Sequence, residues 1–148
     1  YNLVFIGDGP ERKKLATMVS NYNLQEQVWF YGACYDEQVN AELVYNADLC
    51  VAPGNVGLTA MHTLMFGCPV VTHDDFRYQM PEFEAISPYH TGNFFKRGDQ
   101  KSLNHVINEW FVVNGNQREY VQDLCYKEID SQWNPYFQMK VINEVFNH

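Results

Sequence analysis

The stretch PGNVGLTAMHTLMFGCPVV, Pro53 to Val71, carries the reading of this chain. It follows an apolar run, Leu49 to Ala52, that Pro53-Gly54-Asn55 stops. Leu58, Met61 and Met65 then recur at helical spacing up to Gly67, and Pro69 to Thr72 is apolar again. A strand, a glycine-rich loop, a helix and a second strand therefore follow one another, which is the repeat unit of a parallel sheet. The first backbone N–H groups of a helix have no partner inside it, and with the helix dipole they form a site suited to a phosphate. Gly54 and Gly57 allow close approach of a ligand to the backbone, and Thr59 adds a hydroxyl. The plainer alternative is an ordinary strand-to-helix turn, which glycine also favours.

The same alternation extends outward. Leu3 to Ile6 reads as a buried parallel strand ending in Gly7, and Asp8 or Gly9 is placed to cap a helix with Pro10 in its first turn. Val28 to Tyr31 is a second strand, closed by Gly32, and a helix starts near Asp36. Phe94-Phe95 reads as a short fifth strand, and helices follow Gly98-Asp99, run through Tyr120 and Leu124, and start after Asn134. The expected fold is α/β, a Rossmann-like parallel sheet with helices on both faces, filling residues 1–148 as one domain. Ligands of such sheets bind at the carboxyl ends of the strands. Here that places Gly7–Pro10, Gly32–Asp36, Pro53–Gly57 and His73–Pro81 at the binding edge.

Composition narrows the partners. The chain has 148 residues, 46% hydrophobic and 19% charged, enough for a core without disulfide or metal staples. Its net charge of -8 disfavours nucleic acid and offers no basic patch to anionic lipid, so neither is expected as a partner. Cys34, Cys50, Cys68 and Cys125 have no metal-site or redox-pair spacing and fit a cytoplasmic location. No apolar run is long enough to span a membrane. The chain opens on a strand without a start methionine, which points to a piece of a larger protein.

Other candidates carry less. Gly7-x-Gly9-x-x-Arg12 misses the third glycine of a dinucleotide fingerprint, and no acid ends the second strand. His73-Asp74-Asp75 could be read as a metal site, but a solvated loop explains it better, with His73 lining the cleft. Glu82 and Glu84 begin a short helix, and Trp110, Trp133, Tyr136 and Phe137 read as core packing.

Several segments together resemble glycosyltransferase family 4, whose members have the GT-B fold. Gly57-Leu58 and Gly67-Cys68-Pro69-Val70 resemble its Gly-Leu and Gly-x-Pro-Val signature. Ile6 to Pro10, Val28 to Gly32, Tyr45 to Leu49, Pro81-Glu82 and Thr91-Gly92 resemble further family segments in the same order. The resemblance implies the C-terminal, donor-binding half of a retaining enzyme, closest to those making bacterial surface or capsular polysaccharides. The substrate would be a nucleoside-diphosphate sugar, with no metal or other cofactor. Gly57, Leu58 and Thr59 would hold the diphosphate, His62 the ribose, and Gly32, Ala33 and Cys34 the base, while Gly54, Asn55 and Val56 would form the donor-sugar loop. The partner would be an N-terminal acceptor domain, and the full enzyme could sit peripherally at the inner membrane face.

Two departures bear on this. The family carries glutamates where Gly54 and His62 stand, and neutral imidazole has one acceptor nitrogen where a carboxylate has two oxygens. The resemblance also implies a basic pair upstream of Tyr1. A nucleotide-sugar-binding module without catalysis and a GT-B-fold sugar-nucleotide epimerase are the alternative functions.

Overall fold

The computed structural model describes residues 1–146. The chain divides into two compact units, Tyr1–Glu42 and the residues from Leu43 onward. The expected α/β class holds, but the strands form two hydrogen-bonded parallel sheets, one in each unit, rather than one continuous ladder. The Leu49–Ala52 run contributes only two ladder residues, Cys50 and Val51, flanked by N–H bonds from Cys50 to the Pro69 carbonyl and from Ala52 to the Val71 carbonyl.

In the first unit, β1 (Leu3–Ile6) pairs in parallel with β2 (Val28–Gly32), and Phe5 stacks on Phe30 at 5.1 Å between ring centroids. The register slips between Phe5 and Ile6, so that Ile6 lies opposite Gly32. Helix α1 (Arg12–Asn21) starts later than the expected cap. Asp8 spends its side chain on the N–H of Gly9, and the Arg12 N–H closes a turn onto the Gly9 carbonyl. The expectation of a buried β1 is also corrected: Leu3, Val4 and Ile6 remain exposed. An apolar run reads as buried on both faces, but β1 bonds to β2 alone among the described residues. Helix α2 (Glu37–Tyr45) begins after Asp36, whose carboxylate accepts the N–H groups of Gln38 and Val39.

The second unit contains β3 (Cys50–Val51), α3 (Leu58–Met65), β4 (Val70–His73), 3-10 turns at Phe76–Tyr78 and Pro81–Ala85, β5 (Gly92–Phe95), α4 (Gln100–Asn114), α5 (Arg118–Gln132) and α6 (Pro135–Phe146). Its sheet runs β3-β4-β5, with β4 central and every β4 residue buried. Successive strand residues face opposite sides. Val70 accordingly joins a core with Ala60 and Leu64 of α3, Trp110 of α4, and Val121 and Cys125 of α5. Val71 joins Phe95 and Val106 of α4 on the other side. Helices thus cover both faces of this sheet.

Punctuation residues set the element ends. Gly67, at φ +76°, closes α3, with the Cys68 N–H returning to the Thr63 carbonyl at 2.8 Å. Asp99 caps α4 through the N–H groups of Lys101 and Ser102, and Asn134 caps α6 through that of Phe137. Arg118 ties the start of α5 to the Asp48 carboxylate at 2.6 Å and to the Tyr45 carbonyl at the end of α2. All four cysteines are free thiols, and Cys68 and Cys125 are fully buried. Trp110 is core as expected, whereas Tyr136 is 84% exposed on α6, none of whose residues is buried.

Candidate functional site

The loop from β3 to α3 is fastened residue by residue to the carboxyl end of β4. Gln79 accepts the Val56 N–H on its Oε1 at 2.6 Å and donates from Nε2 to the Thr72 hydroxyl and the His73 carbonyl, each at 2.9 Å. The Thr72 hydroxyl donates to the Gly54 carbonyl at 3.3 Å. His73 Nε2 lies 3.3 Å from Asn55 Oδ1, while the Asp75 N–H donates to its Nδ1 at 3.2 Å. The Val56 carbonyl accepts the Met80 N–H, and the Val56 side chain is 1% exposed. Thr72 and His73 are equally buried, Gln79 is half-buried, and Gly54 and Asn55 are exposed, so the network ties the surface loop to the core.

Gly57 is the N-cap of α3 and offers no side-chain cap, so the N–H groups of Leu58 and Thr59 remain without helical partners. A side chain at Gly57 would start 3.2 Å from Met80 Cγ and 3.9 Å from Glu82 Oε2. That Glu82 oxygen is buried without a hydrogen-bond partner. Leu58, Thr59 and His62 are exposed on α3, opposite its buried residues Ala60, Thr63 and Leu64. Three- and four-residue spacing places His62 on the same face as Leu58 and Thr59. Gly54 and Asn55 are exposed beside them in sequence. The second unit therefore gathers Gly54, Asn55, Val56, Gly57, Leu58, Thr59 and His62 on one loop and helix end. Gly32, Ala33 and Cys34 belong to the first unit. There Gly32 is at φ +94° with the Arg12 guanidinium against it, and the Cys34 carbonyl accepts from Asn40.

The His73–Asp75 segment is an ion-pair loop. Arg77 makes a two-pronged contact with Asp75 at 3.0 and 3.2 Å, and Arg97 reaches the same carboxylate at 3.3 Å. The Asp74 side chain accepts the Arg97 N–H. Among the described residues, no group of three or more acids, histidines or cysteines is arranged to hold a metal ion. Hydrogen bonding from Arg77, aided by Arg97, holds the Asp75 carboxyl below its ordinary value of 3.8. A lowered folded pKa contributes stability that is complete above the unfolded value and lost as pH falls through the folded one. An NMR titration should therefore find Asp75 more than half ionised at pH 3.8, and Arg77→Ala should move its midpoint upward.

A cavity of about 20 Å³, room for one water, is lined by Asp48, Pro69, Trp110, Asn114 and Arg118. Asn114 Nδ2 is buried there without a partner. Asp48 and Pro69 precede β3 and β4, so this cavity lies at the amino ends of the strands, opposite the glycine loop.

The glycine loop is legible in the sequence, but its fastening is not. Thr72, Gln79 and the loop-bonding role of His73 follow no periodic pattern, and Gln79 meets Val56 across 23 residues.

The family described as glycosyl transferases group 1 matches residues 1–123. No curated protein matches the chain. Among solved structures, Alr3699/HepE of Anabaena in complex with UDP is similar at 16% identity and a TM-score of 0.73, over 99% of this chain and 41% of that one. Sucrose-phosphate synthase of Thermosynechococcus elongatus is similar at 21% identity and 0.74, over 99% and 39%. TarM of S. aureus, solved with UDP and a glycosylated glycerol, is similar at 16% identity and 0.76, over 99% and 29%. At these identities the likeness is one of fold. The chain spans at most about two fifths of each of these structures.

Proposed function

Since the chain belongs to the glycosyl transferases group 1 family, we propose that it is the donor-binding part of an enzyme that moves a hexose from a nucleoside-diphosphate sugar to a glycan or lipid-linked acceptor. The observation that carries this is the uncapped amino end of α3, held beside a loop bolted to β4. Such an end takes an anion without a metal, because its N–H groups point at the ligand and the dipole favours negative charge. In this reading the N–H groups of Gly57, Leu58 and Thr59 hold the diphosphate. Gly54, Asn55 and Val56 shape the donor-sugar side, His62 accepts one ribose hydroxyl, and Gly32, Ala33 and Cys34 pack on the base. Structures of the same fold that hold UDP or UDP-glucose support a uridine nucleotide as the first ligand to try.

The finer assignments belong to the same proposal: family 4, retention at the anomeric carbon, and a place in bacterial surface or capsular polysaccharide synthesis. The acceptor half would be supplied by residues outside this chain, for which its partial coverage of the structural relatives leaves room. No described helix is long and apolar enough to cross a membrane. The free thiols support a cytoplasmic enzyme. Gly54 and His62, standing where the family carries glutamates, favour a second reading, a nucleotide-sugar-binding module without transfer.

Calorimetric titration of the complete protein with UDP, in the presence of a chelator, tests the site. Binding is expected, and His62→Leu should weaken it by about 1 kcal/mol, roughly fivefold. No binding by the wild-type protein would sink the assignment. Binding without turnover of any nucleotide sugar would select the second reading. The isolated 148-residue chain is expected to transfer no sugar.

A further inference from the structure

The network around Gln79 goes beyond what a glycine loop at a helix end requires. Its hydrogen bonds admit only one assignment. Val56 N–H can only donate, so the Gln79 oxygen must face it, and the amide nitrogen then supplies both the Thr72 hydroxyl and the His73 carbonyl. The Thr72 hydroxyl, accepting from Gln79, is free to donate to the Gly54 carbonyl. The Asp75 N–H can likewise only donate, so Nδ1 of His73 is the acceptor and its proton resides on Nε2, facing Asn55 Oδ1. Gly54, Asn55 and Val56 are thus each held by a different side chain of one connected network. Reversing the Gln79 amide would set like groups against each other at the Val56 N–H and at the His73 carbonyl.

We propose that Gln79 is a positioning residue, with His73 as its second arm, that clamps the Gly54–Val56 loop into the shape needed to receive a nucleoside diphosphate at the amino end of α3. The proposal rests on the binding site proposed above. Holding the loop in place before the ligand arrives removes the ordering cost from the binding step. Gln79 itself touches no ligand in this scheme. It acts through the backbone of Val56, the residue next to Gly57.

Two variants and two measurements test it in the intact protein. Gln79→Ala removes all three contacts. Gln79→Glu keeps an acceptor for the Val56 N–H but loses both donors and sets an oxygen against the His73 carbonyl. Amide hydrogen exchange without ligand should be roughly tenfold or more faster at Val56 in Gln79→Ala, with the Leu64 amide unchanged. UDP affinity by calorimetry should fall roughly tenfold in the same variant. Gln79→Glu should lie between wild type and alanine in both. In the wild type, ¹⁵N shifts should report the Nε2–H tautomer of His73. Unchanged exchange at Val56 would overturn the clamp. Faster exchange with full UDP affinity would overturn the positioning role. Failure of the wild type to bind UDP would remove the functional reading and the positioning role with it, while the exchange rates would still decide whether the clamp exists.

Discussion

Gly92→Ala should abolish most of the stability of the second unit, lowering it by about 4 kcal/mol or more. A methyl group at this position would lie 1.9 Å from the backbone oxygen of Val70 and 2.8 Å from Ile86 Cγ2. Gly92 pairs with Val70 at the start of the β4–β5 ladder, and Val70 is completely buried. Neither partner can retreat. The Thr91 hydroxyl anchors the preceding turn by donating to the Ala85 carbonyl and accepting the Ser87 N–H, both at 2.7 Å. The ladder would have to open at its first rung, exposing Val70 and Val71 on both faces of the sheet. Natural domains have only about 5–15 kcal/mol in all, so the variant should unfold at a much lower urea concentration or fail to accumulate. Gly54→Ala is the control, because nothing lies within 4 Å of the added methyl group. A Gly92→Ala protein as stable as the Gly54→Ala protein would show that the close approach of Gly92 to Val70 is wrong.

Gly57→Pro should cost roughly a hundredfold in UDP affinity. Proline removes the N–H that the proposed diphosphate site needs, and a hydrogen bond to a charged group is worth about 1.5–3 kcal/mol. It also fixes φ near −65°, whereas Gly57 stands at −149°. The loop and the first turn of α3 would be re-aimed together. The Met80 side chain, 3.2 Å from a Cβ at this position, would meet the altered turn first, with the unpartnered Glu82 oxygen just beyond it. Thr59→Ala, which removes only a hydroxyl, should lose no more than about 1 kcal/mol. Calorimetry with circular dichroism on the same samples separates lost binding from lost fold. A folded Gly57→Pro protein with wild-type affinity would take this loop out of the site.

What could be seen in the sequence was what glycine, proline and apolar runs punctuate. The order of elements from β1 to α6, the helix starts after Asp99 and Asn134, and the loop before α3 all follow from local chemistry that a short window contains. Errors arose where burial depends on distant chain. The β1 run has the composition of a strand covered on both faces, yet it is exposed here, and Tyr136 lies on a helix with no buried residue. Of the site, Gly54 to His62 could be read because the loop and helix are contiguous. The clamp could not, since a glutamine in an irregular segment gives no periodic signal. Its partners Thr72 and Val56 are meaningful only once the strand ends are side by side. The Thr91-Gly92 pair was recognisable as a motif, but its reason, the close approach to Val70, is purely three-dimensional.

The thiols of the second unit have a chemical consequence. Burial pushes Cys50 up to about 11 and Cys125 up to about 12, and Cys68 higher still. Alkylation and disulfide exchange proceed through the thiolate, so these three sulfurs are nearly inert at neutral pH while the core is closed. Once the core opens, each returns to ordinary reactivity. Fully buried Cys68, at the entrance to β4, and Cys125, on α5, therefore form an internal recorder of opening. Half-buried Cys34 lies in the other unit, so its reaction reports nothing about that core.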